Sequence, residues 1–94
     1  MRIEFSLEAD DDLAHAVAHL AERNFPAALD LTDQIFTVIG RLAAREFEGP
    51  EHQLRSGKTV RGWPVPPYRI YYERGADSLF VVRIHDQRRR PITK

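Results

Sequence analysis

The apolar residues of this chain change their period at Gly49-Pro50, and that change dictates the layout. Before it, two stretches recur at helical spacing; after it, the pattern alternates. In the first stretch Leu13, Ala16, Val17 and Leu20 share one side, with Asp11, His15, His19 and Glu22 opposite. Asn24-Phe25-Pro26 interrupts it, Asn24 offering a cap and Pro26 suiting an early helical position. A wider stripe follows: Ala28, Leu31, Ile35, Ile39 and Leu42, flanked by Leu29, Phe36, Val38, Ala43 and Phe47. The spacing predicts one helix running to Arg23 and a second from Pro26 to Phe47, stopped by Gly49-Pro50.

Ahead of both, Ile3, Phe5 and Leu7 alternate with Arg2, Glu4 and Ser6, the period of a half-buried strand. Ser6 is placed to cap the first helix. Glu8, Asp10, Asp11 and Asp12 then fall where the helix dipole favours negative charge, so the acidic run reads as a helix start and not as a metal site. Beyond Pro50, turn chemistry at Ser56-Gly57-Lys58 and at Gly75-Ala76-Asp77-Ser78 separates strand candidates. These are Val60 to Val65, Tyr68 to Arg74 and Leu79 to His85, with Pro64 pointing to an edge or an exit. The order is strand, two-helix hairpin, three strands. It predicts an α+β fold, a mainly antiparallel sheet with the helices on one face, with residues 1–94 as a single domain.

Composition narrows the classes. Ninety-four residues with 43% apolar content can build one modest core and no second catalytic domain. No apolar run approaches the ~20 residues of a membrane-spanning helix. The absence of cysteine excludes disulfides, a thiol nucleophile and cysteine-ligated zinc. Met1-Arg2-Ile3-Glu4 lacks the order of a signal peptide, so the expected compartment is the cytoplasm. The zero net charge conceals a split. Residues 1–50 carry four Lys/Arg against ten Asp/Glu, and residues 51–94 carry ten against four. The basic half is where an anionic partner would bind, unless folding averages the halves.

Alternation assigns sides to the strands. Ile70 and Tyr72 point one way, with Arg69, Tyr71 and Glu73 the other; Phe80, Val82 and Ile84 point one way, with Leu79, Val81, Arg83 and His85 the other. If the sets with Ile70 and Ile84 pack under the helices, Arg69, Tyr71, Arg83 and His85 project from the uncovered face. Arg55, Lys58 and Arg61 would border it, and Arg88-Arg89-Arg90 would extend it. Such a face suits phosphate and base contacts, or is simply solvated. His85 is the group best placed to titrate near neutrality. His15 and His19 have i, i+4 spacing, but Ala16 stands where a zinc-protease motif needs Glu, so no metal is expected. No glycine-rich phosphate loop is present, and no cofactor is implied.

Two runs carry a resemblance. Leu54-Arg55-Ser56-Gly57 with Val60-Arg61-Gly62-Trp63-Pro64-Val65-Pro66-Pro67-Tyr68-Arg69-Ile70-Tyr71-Tyr72-Glu73-Arg74, and Leu79-Phe80-Val81-Val82-Arg83-Ile84-His85-Asp86-Gln87-Arg88-Arg89-Arg90-Pro91, are similar to the RelE/ParE toxins. The strand and the helical hairpin of the first half fit as well. The resemblance implies the toxin of a type II toxin–antitoxin pair, neutralised by a cognate antitoxin in a hetero-oligomer. It implies one of two activities. ParE-like members poison DNA gyrase; RelE-like members cleave mRNA on the ribosome. Were this chain an mRNA endoribonuclease, Lys58, Arg61, Arg83 and His85 would be its catalytic candidates. As a binder, its target-binding set would be Arg61, Arg69, Tyr71, Arg83, His85, Arg88, Arg89 and Arg90, with Arg69, Tyr71, Arg83 and the helical hairpin meeting the antitoxin. Lysine is scarce and no tyrosine follows Tyr72, so the ending looks ParE-like and gyrase is the expected target. A member that binds its antitoxin and nothing else is the third reading.

Overall fold

The computed structural model describes residues 1–94. The chain runs β1 (Arg2–Phe5), α1 (Leu7–Arg23), α2 (Phe25–Ala43), β2 (Glu51–Gln53), β3 (Thr59–Val65), β4 (Tyr68–Arg74) and β5 (Ser78–Asp86). The strands form one sheet in the order β1-β5-β4-β3-β2. β1 runs parallel to β5, and every other pairing is antiparallel. The α+β class and the element order are as predicted, with one addition: four strands follow the helices, because Glu51–Gln53 pairs with Thr59–Arg61.

Local chemistry sets the helix limits. Ser6 Oγ accepts from the Ala9 N–H at 2.9 Å and donates to the Val82 carbonyl at 2.6 Å, joining the start of α1 to β5. Asn24 alone separates the helices. Its N–H closes α1 on the Leu20 carbonyl, and its Oδ1 accepts from the Ala27 N–H to open α2. α2 ends four residues before the predicted Phe47. Arg45 adopts a left-handed φ of 61°, with Arg45 N–H donating to Leu42 O and Glu46 N–H to Arg41 O. That is a Schellman stop with arginine where glycine is usual. Gly49 has a different task from the expected helix stop. A Cβ there would lie 1.9 Å from the Gly62 carbonyl oxygen, so the α2–β2 connection can lie against β3 only as glycine.

The core lies between the helices and one face of the sheet. Ile35, Ile39 and Leu42 of α2 and Ala9 and Ala16 of α1 meet Ile70 and Tyr72 of β4 and Leu79, Val81 and Ile84 of β5. For β5 this corrects the predicted sides: Leu79 and Val81 are core, while Phe80 and Val82 face away. The cause is a β-bulge. Tyr71 pairs with Arg83 and Tyr72 with Val81, leaving Val82 opposite no residue of β4. One extra residue reverses the alternation on one side of the irregularity. Trp63 belongs to the helix side, stacked on Phe47 with centroids 4.1 Å apart.

The second face is not open. After β5 the chain turns at Asp86, where Gln87 N–H donates to Pro67 O, and crosses the sheet to its far edge. There Arg55 N–H donates to Ile92 O and Lys94 N–H to Gln53 O, and Thr93 bridges Leu54. Residues 87–94 thus form a strap, fastened by Ile92, which packs with Val82 against the cluster of Leu54, Val60 and Tyr71.

Candidate functional site

The strap-side face collects most of the residues singled out in the sequence. Register places Arg69 beside His85 and Tyr71 beside Arg83 on adjacent strands. Two of them do not project into solvent as expected. Tyr71 is 3% exposed and His85 is 7% exposed, because the strap and its apolar cluster roof that part of the sheet. Arg61 does not join the group at all. It pairs in register with Tyr72, on the helix side, and its guanidinium donates to the Gly49 carbonyl at 2.8 Å. The assignment of Arg61 to the same face as Arg83 and His85 is therefore corrected by strand parity.

The cations on this face divide into tied and free. Arg83 donates to both carboxylate oxygens of Asp12, Nε to Oδ2 at 2.8 Å and Nη2 to Oδ1 at 3.0 Å. The same carboxylate accepts from the Ile84 N–H at 3.0 Å. β1 stops short of this stretch of β5, and Asp12 of α1 takes the exposed edge in its place. Its hydrogen bonds raise the Arg83 pKa, so that guanidinium is fixed in charge and in place. Lys58 Nζ lies 2.7 Å from the Glu73 carboxylate. Arg88 is held by Asp86 through two side-chain bonds. Arg69 and Arg90 have no ion pair, and Arg89 reaches Asp86 only at 3.9 Å.

Two histidines sit among these charges. His85 Nε2 is buried and has no hydrogen-bond partner; burial, then the Arg83 charge, lowers its pKa. His52, which the sequence reading passed over, is the other. Its ring meets Tyr71 edge-on at 5.5 Å, its Nε2 is likewise unpartnered, and burial followed by Arg69 lowers its pKa. Gly62 makes the room: a Cβ there would lie 2.9 Å from His52 Cδ2 and 3.2 Å from Arg69 Cδ. Nothing short of the β2–β3 pairing, invisible in the sequence pattern, would have brought His52 to this face. Asp12 was read only as a helix-start charge, yet it is the residue that fixes Arg83.

On the opposite side a second network holds the α2–β2 connection. Glu48 accepts from Tyr72 Oη and from Arg74, while Arg74 also donates to the Leu42 carbonyl at 2.8 Å. The Arg74 hydrogen bond, foremost, holds the Glu48 carboxyl below its ordinary range. Glu48–Arg74 and Asp12–Arg83 both join the acidic first half to the basic second half, so folding consumes part of the charge split.

The family model described as the ParE toxin of the type II toxin–antitoxin system parDE matches residues 3–91. The chain belongs to this family of type II toxins. It is similar in fold to a chain of the chromosomal ParDE toxin–antitoxin system from P. aeruginosa. That match has a TM-score of 0.72 and 19% identity, and covers 92% of this chain and 95% of the other. No curated protein matches the chain. No helix is long and apolar enough to cross a membrane.

Proposed function

We propose that this toxin acts by binding and inhibiting DNA gyrase, and that an antitoxin neutralises it by covering the helical hairpin. The observation that carries the first half is the dispersal of the candidate nuclease residues. RNA cleavage requires groups that deprotonate the 2′-OH, stabilise the phosphorane and protonate the leaving oxygen, all about one reacting atom. Here Arg61 lies on the other side of the sheet, Lys58 is tied to Glu73, Arg83 is tied to Asp12, and His85 lies beneath the strap. Of the four, Arg83 and His85 share one cleft, and neither Lys58 nor Arg61 joins them there. The unpaired cations of this face, Arg69 and Arg90, with Arg89 held only at 3.9 Å from Asp86, are the ones we assign to the target. Membership in the ParE family supports the same reading.

The antitoxin half rests on exposed apolar side chains. Phe25, 63% exposed, Leu29 and Phe36 are the exposed large apolar side chains of α2, and Phe36 lies beside Phe5 of β1 with ring centroids 6.0 Å apart. A disordered segment that folds on binding finds anchors there, and the acidic start of α1 favours basic residues in that segment. The target is tested by inducing the toxin without antitoxin and following thymidine and amino-acid incorporation together. DNA synthesis failing first, with supercoiling inhibition by the purified protein, is the expected result. Protein synthesis stopping first would transfer the target to the ribosome, and viability with neither affected would leave an antitoxin-binding protein only. Arg69→Ala/Arg89→Ala/Arg90→Ala should abolish growth arrest with the fold intact. Arg83 is left out of that variant because its removal would unpair Asp12.

A further inference from the structure

Three of the four histidines line a single cleft of 370 Å³ where α1 meets the strap. α1 contributes His15 and His19, one turn apart on one face, and β5 contributes His85 as a buried wall. The strap contributes Arg88, Arg89 and Arg90. The cleft also contains two carboxylates, and both are spent. Asp12 is saturated by Arg83 and the Ile84 N–H, and Asp86 is taken up by Arg88. Arg90 has no ion pair and Arg89 reaches Asp86 only at 3.9 Å, so the strap brings charge that is largely unspent, beside a buried imidazole nitrogen that has no partner. A ligand oxygen that accepts from this nitrogen would relieve its unpaired burial.

We propose that this cleft binds a phosphate group, carried on a nucleic-acid strand or free in solution. The inference goes beyond the gyrase reading and does not rest on it, and it adds α1 as a second wall to the strap. Guanidinium forks and imidazoles supply several donors to one tetrahedral anion, the geometry that phosphate oxygens accept. An acidic peptide fits less well. The apolar residues of the cleft include Tyr68 and Ile84, both buried, which leaves a folding segment little to anchor on. The volume suits a nucleotide-sized unit, since small-ligand sites run from ~300 Å³ upward. His85 is faced by Arg83 and Asp86 on its own strand, Arg69 on β4, Asp12 on α1 and Arg89 on the strap. A bound anion would favour the protonated ring, so oligonucleotide binding should strengthen as pH falls below the ordinary histidine value of about 6.5.

The test uses the full chain and the imidazole C–H resonances of its histidines. Inorganic phosphate and a single-stranded oligothymidine are titrated in separate arms. Shifts of His15, His19 and His85 are expected while His52, outside the cleft, stays still. Shifts with phosphate alone mark the free anion as a ligand; shifts only with the oligonucleotide mark the strand. Arg89→Gln/Arg90→Gln should weaken binding about tenfold or more and lower the salt slope by about 1.4, two single-strand contacts at ~0.7 each. His85→Gln should flatten the pH dependence. Equal movement of His52, no effect of the double arginine variant, or an octaglutamate binding as tightly as the oligonucleotide would each overturn the site. Gyrase inhibition is measured on the same variants. Lost oligonucleotide binding with inhibition intact upholds the site and separates it from the toxic action; lost inhibition with oligonucleotide and phosphate binding intact overturns it.

Discussion

On its helix side the sheet buries a cluster of 14 apolar residues; on its strap side the buried cluster has three, Leu54, Val60 and Tyr71. The helix side is closed by two amphipathic helices with their own caps. The strap side is closed by one extended segment, held by Ile92 and a few backbone bonds, over two histidines and several cations. The difference separates stability from recognition. Apolar burial scales with area, so the helix side carries the fold. The strap side keeps the polar atoms left unpaired and the charges left unspent, features that attract ligands and cost stability.

The largest expected effect contrasts the two clusters directly. Ile70→Ala, in a fully buried position, should cost about 2–5 kcal/mol in urea unfolding. Ile92→Ala, in a half-buried position, should cost about 1 kcal/mol, near half the value of its buried methylenes. Equal costs would mean that the strap is as integral as the helices. Between these two falls the one clamp that ties α1 to the strap-side cations. Asp12→Ala leaves Arg83 without its carboxylate and the Ile84 N–H without an acceptor, at a cost of about 1.5–3 kcal/mol. Asp12→Asn keeps an acceptor for Ile84 and should recover part of that loss. A similar loss for both variants would assign the whole effect to the ion pair.

Acid should distinguish the faces by their pH windows. His52 and His85 have folded pKa values lowered chiefly by burial, so the unfolded chain takes up their protons first. Their folding contribution is intact above the ordinary histidine value of about 6.5 and weakens as pH falls below it. Glu48 also has a lowered folded pKa, but as a carboxylate. Its contribution is present above about 4.3 and is lost as pH falls through the lower folded value. Protection factors at Arg55 and Lys94, whose amides hold the strap, taken relative to the intrinsic exchange rate at each pH, should therefore fall as pH drops below about 6.5. The β4–β5 amides should respond only in stronger acid. His52→Gln/His85→Gln should remove the first response and leave the second. Simultaneous loosening of both faces would join them into one cooperative unit.

The residues that the sequence made legible are those whose environment is local. Ser6 and Asn24 were readable as caps because capping needs only the next turn, and both perform as expected. The alternation of β4 held because Arg69, Tyr71 and Glu73 contrast with Ile70 and Tyr72. In β5 four apolar residues run consecutively from Leu79 to Val82, so no alternation could locate the bulge that puts Phe80 and Val82 on the strap side. Arg88 to Arg90 read as an extension of the basic face, but not as part of a strap, because the fastening of that segment lies some 40 residues back in sequence, at Gln53 and Arg55. Asp12 and His52 entered the candidate site through long-range pairing alone.

The smallest effect concerns the one local rule that the helix side breaks. A left-handed conformation costs an L-residue other than glycine about 1–2 kcal/mol, and Arg45 bears that cost at the end of α2. Its side chain is exposed and makes no ion pair that would repay it. Arg45→Gly removes the strain but adds about 0.5–1 kcal/mol of backbone freedom to the unfolded chain. The net should be a stabilisation of about 0.5–1 kcal/mol, read as a higher urea midpoint at unchanged slope. Because Arg45 lies far from the strap, exchange at Arg55 and Lys94 should be unaffected wherever those amides open locally. A parallel slowing of both would show that the strap opens only with the whole fold, and the contrast between the faces would then be one of composition and not of stability.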